Sequence, residues 1–149
     1  MPERAFKEVI RLAGVDLVGF NVLHHELMKI KGIGPTLARV IPRVAGIPEN
    51  LRTGFLTEKQ VEKLERIIKN LNMHVPDFLV NRRKDREKGE DIHLIGSELK
   101  LRVERDIEFE KKIGTWRGLR HKLGLKVRGQ RTRTTGRKGR TVGVRRKKK

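Results

Sequence analysis

Between Arg117 and Arg140 the chain reads RGLRHKLGLKVRGQRTRTTGRKGR, arginines and lysines punctuated by glycine with no Asp or Glu to balance them. Side chains of this kind do one sort of chemistry well. Guanidinium forks and ammonium groups neutralise phosphate oxygens, and glycines between them let the backbone follow a groove closely. The last acid is Glu110; beyond it stand 17 of the 37 Lys and Arg, which leaves 20 against all 18 acids in the preceding part. Of the net charge of +19, therefore, +17 belongs to the stretch after Glu110 and +2 to the body. Such a block repels itself and lacks the apolar area to offset the entropy of ordering, so it needs a polyanion to become ordered. Phosphate contacts displace condensed counterions, and nucleic acid is the partner this distribution fits. Solubility alone is served by either sign and by far less charge. An anionic membrane would gain from apolar anchors or a lipid, yet Thr132 to Lys149 offers only Val142 and Val144, with no Cys and no aromatic, so no membrane partner is expected.

A second candidate is KGIGP, Lys31 to Pro35, a turn whose glycines suit positive backbone angles. In helical hairpins that bind nucleic acid, the amides of such a turn and of the next helix's start hold a phosphate, and Lys29 and Lys31 flank this one. An ordinary helix connection is the bland alternative. Aromatics make up 4 % of the chain, with no Tyr and one Trp that the helical spacing puts on an apolar face. Stacking platforms for single strands are thus not expected, and readout should come from phosphates and shape. That favours a large, structured nucleic acid over a linear duplex.

Other chemistry is thinly supported. His24 and His25 are neighbours that cannot share a helix face, while His74, His93 and His121 lie far apart without Cys, so no metal site is expected. The start Met1-Pro2-Glu3 resembles that of DNA glycosylases whose N-terminal proline attacks the sugar of a flipped base. Those enzymes are larger, carry a β-rich catalytic domain and commonly end in a cysteine zinc finger; this chain of 149 residues has no Cys. No catalytic residue and no cofactor are expected, because nothing else looks like an activated nucleophile or a paired acid and base.

The elements that position these residues can be read from spacing. Apolar residues are 36 % of the chain, below the usual share for a fully packed one, which fits one domain plus an extension. No apolar run of signal-peptide or membrane length occurs in Met1 to Lys31, so a cytoplasmic protein is expected. FKEVIRLAGVDLVG, broken by Gly14 and Gly19, suits brief strands or an irregular arm. Val22 to Lys31 reads as a helix with Val22, Leu23, Leu27 and Ile30 on one face. Pro35 opens a second, carrying Leu37, Val40, Ile41 and Val44, which Pro42 should shorten or kink. Thr57 with Gln60 forms a capping box for a third, lined by Val61, Leu64, Ile68 and Leu71. MHVPDFLVNRRKDREKGED reads as a connection with little core. Ser97 should cap a long, largely exposed helix to about Ile113, with Leu99, Val103 and Ile107 as its stripe, and Thr115 to Leu123 should form a last short one. From Gly124 the glycines, threonines and cations forbid a stable element, and Arg128 to Lys149 fully extended reaches about 70 Å.

The expected fold is mostly α: a small helical body at 1–75 holding a helical hairpin of the helix-two-turn-helix kind, a connection at 76–96, helices at 97–123 including the long one, and an extended basic tail at 124–149.

RGLRHKLGLKVRGQRTRTTGRKGR is similar to the C-terminal signature of the small-subunit ribosomal protein S-thirteen family, with Arg128-Gly129-Gln130-Arg131-Thr132 its most specific part. LMKIKGIGPTLA resembles that family's helical hairpin and LTEKQVEKLERIIKN its next helix, while HVPDFLVNRRKD resembles the archaeal and eukaryotic branch. Lys126 stands where bacterial members often have proline. The resemblance implies a structural, non-enzymatic constituent of the small ribosomal subunit in the cytoplasm. It implies contact with rRNA in the subunit head, with ribosomal protein S-nineteen, with large-subunit central-protuberance components through an intersubunit bridge, and with peptidyl-site tRNA. Carried over by position, Lys31, Gly32, Gly34, Arg117, Arg120, His121, Lys122, Arg128, Gln130, Arg131, Arg133, Arg137, Lys138 and Arg140 would bind rRNA. Arg145, Arg146, Lys147, Lys148 and Lys149 would lie nearest tRNA. The competing binding reading is an architectural DNA protein, which also needs a basic arm and shape recognition.

Overall fold

The structure, a computed structural model, describes residues 6–135. It divides into two compact units, Met1–Leu101 and Arg102–Lys149. Six α-helices and one two-stranded sheet occur among the described residues, so the chain is mostly helical as its sequence indicates.

The first unit begins with an antiparallel hairpin, β1 (Val9–Leu12) and β2 (Val15–Val18), in which Leu12 faces Val15 and Ile10 faces Leu17. Alternation decides its faces: Ile10, Leu12 and Leu17 are buried while Val9 and Arg11 are exposed. Its two turn residues, Ala13 and Gly14, have φ of 48° and 77°. Positive φ at both positions is the geometry whose twist matches paired strands, and alanine is a poor fit for it.

Helix α1 is Leu23–Leu27, shorter than the Val22 to Lys31 expected. Leu23, Leu27 and Ile30 still bury together, but the backbone tightens after Leu27, where Lys29 N–H reaches the Glu26 carbonyl and Ile30 N–H the Leu27 carbonyl. The Glu26 side chain fixes α1 to the hairpin. It is buried, and its carboxylate accepts Val18 N–H at 2.7 Å, Asn21 Nδ2 at 2.7 Å and Lys29 Nζ at 2.6 Å. Burial pushes its pKa up, but these three partners outweigh that and hold it below 4.5.

Helix α2, Pro35–Ala45, starts at Pro35 and runs past Pro42 to Gly46, whose left-handed φ of 69° ends it. Val44, expected on the inner face, is exposed; Ala38 and Ala45 bury instead, beside Leu37 and Ile41. Helix α3, Glu58–Lys69, opens with the anticipated capping box, Thr57 and Gln60 exchanging backbone and side-chain hydrogen bonds. It buries Leu64, Ile67 and Ile68 against the same core. Leu71, assigned to that helix from its spacing, begins a separate turn, α4 (Leu71–His74).

The stretch expected to connect with little core differs most from expectation. Val75 and Val80 are buried in the main core, and 82–92 is a closed loop in which Arg82 and Ile92 exchange backbone hydrogen bonds. Asp85 is buried within it, paired with Arg82. Hydrogen bonds rather than apolar periodicity hold this loop, and spacing carries no signal for them.

Helix α5, Gly96–Ile113, begins one residue before Ser97, which therefore lies inside the first turn rather than at the cap. None of its residues is fully buried, in line with the exposed helix anticipated, and the unit division falls within it. Helix α6, Trp116–Lys122, is capped by Thr115, whose Oγ1 accepts Gly118 N–H at 3.0 Å. No helix or strand occurs between 124 and 135.

Candidate nucleic-acid interface

In the first unit, the turn before α2 carries Lys31, Gly32 and Gly34. Gly32 has φ of 104°, and a Cβ there would stand 2.5 Å from the Leu94 carbonyl oxygen, so glycine is required twice over. Gly34 does not share this need: it is extended, with φ −93° and ψ 179°, and caps α2. The expectation of positive angles at both glycines therefore holds at Gly32 alone. The turn is also partly committed inside the protein. Gly96 N–H donates to the Lys31 carbonyl at 2.8 Å, Ile33 N–H to the Ile30 carbonyl at 3.0 Å, and His93 Nε2 meets the Gly32 carbonyl at 3.0 Å.

What remains outward is cationic. Lys31 is exposed, and the ammonium of Lys100 stands beside its own, holding Lys31 below its ordinary value of 10.5. Two ammonium groups drawn together favour an anion between them. Sequence reasoning missed Lys100, because its approach to Lys31 is set by tertiary packing across a large sequence separation.

In the second unit, Gly118 allows α6 to lie directly against the end of α5; a Cβ on it would fall 2.1 Å from the Glu110 carbonyl oxygen. Between α5 and α6 runs a groove of about 630 Å³ lined by Val103, Asp106, Ile107 and Glu110 on one side, Arg117 and His121 on the other, with Val127 and Arg128. Three of the anticipated residues, Arg117, His121 and Arg128, thus come together. They do so beside two acids that the sequence reading left out. Asp106 and Glu110 sit four apart on α5 and temper the positive field inside the groove, while Lys122 and Arg131 stand exposed on the surface.

Arg120 is held from two directions. Its Nε donates to the Lys126 carbonyl at 2.8 Å, and its guanidinium lies 5.8 Å from the centroid of the Trp116 ring. Trp116 itself is 71 % exposed, and Leu119 and Leu123, which share its apolar face by spacing, are exposed as well. Gln130 folds its side chain back so that Oε1 accepts Arg128 N–H at 3.0 Å, leaving the Arg128 side chain exposed; Arg133 is exposed as well. Arg137, Lys138, Arg140 and Arg145 to Lys149 lie outside the described residues, as do Pro2 and Glu3. Among the described residues no cluster of His, Asp or Glu could hold a metal ion, and no helix is long and apolar enough to cross a membrane.

A small helical body followed by an acid-free cationic segment defines a polyanion-binding class of protein. Within that class the chain belongs to the family described as Ribosomal protein S13/S18, whose model matches residues 11–138. It is 52 % identical over 147 residues to the small ribosomal subunit protein uS13 of Aeropyrum pernix, with 98 % of each chain covered. The uS13 of Saccharolobus solfataricus is 51 % identical over 144 residues, covering 96 % of this chain and 87 % of that one. For the uS13 of Methanopyrus kandleri the identity is 45 % over 150 residues, with 99 % of both chains covered. These relatives are archaeal, in keeping with the branch that HVPDFLVNRRKD resembles. The architectural DNA protein and glycosylase readings find no support in this family.

Proposed function

We propose that the chain is a structural, non-enzymatic constituent of the small ribosomal subunit that binds rRNA through its cationic segments. The observation that carries this is the full-length similarity to a small ribosomal subunit protein, 52 % identical across 98 % of each chain. Charge supplies the physical basis: 17 Lys and Arg against no acid after Glu110.

Within this reading, Lys31 and the neighbouring Lys100 share an rRNA phosphate beside Gly32 and Gly34. Arg117, Arg120, His121, Lys122, Arg128, Gln130, Arg131 and Arg133 line the main contact, and Arg137, Lys138 and Arg140 continue it. The finer placement rests on family resemblance: the subunit head, ribosomal protein S-nineteen as neighbour, a bridge to central-protuberance components of the large subunit, and Arg145 to Lys149 nearest peptidyl-site tRNA.

The test is binding of full-length and Arg128-to-Lys149-deleted protein to small-subunit rRNA across a potassium chloride series. The deleted stretch holds 11 of the cations. If all engage phosphates, the slope of log affinity against log salt flattens by about eight to ten. Circular dichroism should show the helices retained, and co-sedimentation with subunits should be strongly weakened. Salt-indifferent affinity, or unchanged co-sedimentation of the deleted protein, would overturn the proposal.

A further inference from the structure

Trp116 is the only tryptophan of a chain without tyrosine, and it stands at the start of α6 with 71 % of its surface open. Its position is well fixed. The Thr115 cap holds the first turn, Gly118 seats the helix against the Glu110 carbonyl, and Arg120 keeps its guanidinium near the ring while anchored to the Lys126 carbonyl. A cation at 5.8 Å from the centroid is within the range of cation–π attraction. An indole presented in this way offers a rigid π surface backed by positive charge.

Two kinds of occupant would cover such a ring. A protein surface would suit the neighbouring exposed Ile113, Leu119 and Leu123, but an apolar one would desolvate Arg117, Arg120 and Lys122 without supplying anions to meet them. An unpaired nucleobase covers the ring by stacking, and the phosphates on either side of it meet those same cations. Charge complementarity therefore favours the base. We infer that Trp116 is a stacking platform for one unpaired RNA base, with Arg117, Arg120 and Lys122 receiving the flanking phosphates. The inference rests on the rRNA-binding reading and adds to it a readout other than phosphate and shape.

A single tryptophan makes the test direct, since all indole emission comes from the site. Full-length protein is titrated with a synthetic RNA hairpin carrying an unpaired purine loop, with the same hairpin made abasic in the loop, and with a blunt RNA duplex. The loop hairpin should quench the emission, whereas the abasic hairpin and the duplex should bind by their phosphates without quenching. Trp116→Ala should weaken loop-hairpin binding about 5- to 150-fold while leaving the salt slope unchanged. Trp116→Phe, which keeps an aromatic face and the fold, should retain most of the affinity. Salt-dependent binding with unchanged emission, or losses below about two-fold for Trp116→Ala, would overturn the platform and leave rRNA binding intact. If no RNA binds at all, both readings fall.

Discussion

His93 Nε2 donates to the Gly32 carbonyl oxygen at 3.0 Å, joining residues 61 apart and bracing the turn that carries Lys31. The proton is on Nε2 because Nδ1 accepts the Asn81 backbone N–H at 3.2 Å, so both ring nitrogens are used by the neutral imidazole. Burial lowers the pKa of this ring, and the hydrogen bond to Gly32, which raises it, only partly offsets the effect. The unfolded chain therefore takes up a proton near 6.5 while the folded one remains neutral to lower pH. The stabilising contribution is fully present above 6.5 and is lost as pH falls through the folded-state value. Thermal unfolding at a series of pH values should show this decline in the parent protein, and His93→Gln should flatten it.

Gly118→Ala tests the approach of α6 to α5. The added methyl would overlap the Glu110 carbonyl, and backbone on that side cannot rotate away as a side chain can. Destabilisation of about 1 to 3 kcal/mol is expected. Methyl resonances of Leu119 and Ile107 should shift or broaden, while those of Leu64 and Ile68 in the first unit stay in place.

Replacing Glu26 by Ala would strand the Val18 amide and the Asn21 side chain, both now bonded to its carboxylate, at a cost of about 2 to 4 kcal/mol in denaturant unfolding. Acid should act in the same direction. Because the folded-state pKa lies below 4.5, the contribution of Glu26 is complete above 4.5 and is lost as pH falls through that lowered value.

Ala13→Asn should stabilise the protein by about 1 kcal/mol. The residue holds φ of 48° in the two-residue turn, a conformation in which asparagine is at ease and alanine is not. A rise of the unfolding temperature by a few degrees checks it. An unchanged or lower midpoint would mean that the turn relaxes in solution.

The features legible in the sequence are those made by residues close together along the chain. The Thr57–Gln60 capping box joins positions three apart, and Pro35 sets the start of α2 by its own fixed φ, whereas the stretch that forms the strand pair was legible only as brief strands or an irregular arm. Charge segregation after Glu110 needs no folding at all to be counted. Helix ends were less legible. Spacing extends α1 to Lys31 because Ile30 does bury, but it buries from a tightened turn after Leu27 rather than from the helix.

Sequence alone, then, determined a helical body, its helical hairpin and a segment whose cations have no acids to balance them, since propensity, periodicity and net charge are sums over near neighbours. Tertiary structure decided the rest: that Lys100 meets Lys31, that Asp106 and Glu110 share a groove with Arg117 and His121, and that Trp116 faces outward. Each depends on where distant backbone comes to lie, which is fixed by the packing of the core and by close contacts such as Gly32 on Leu94 and Gly118 on Glu110.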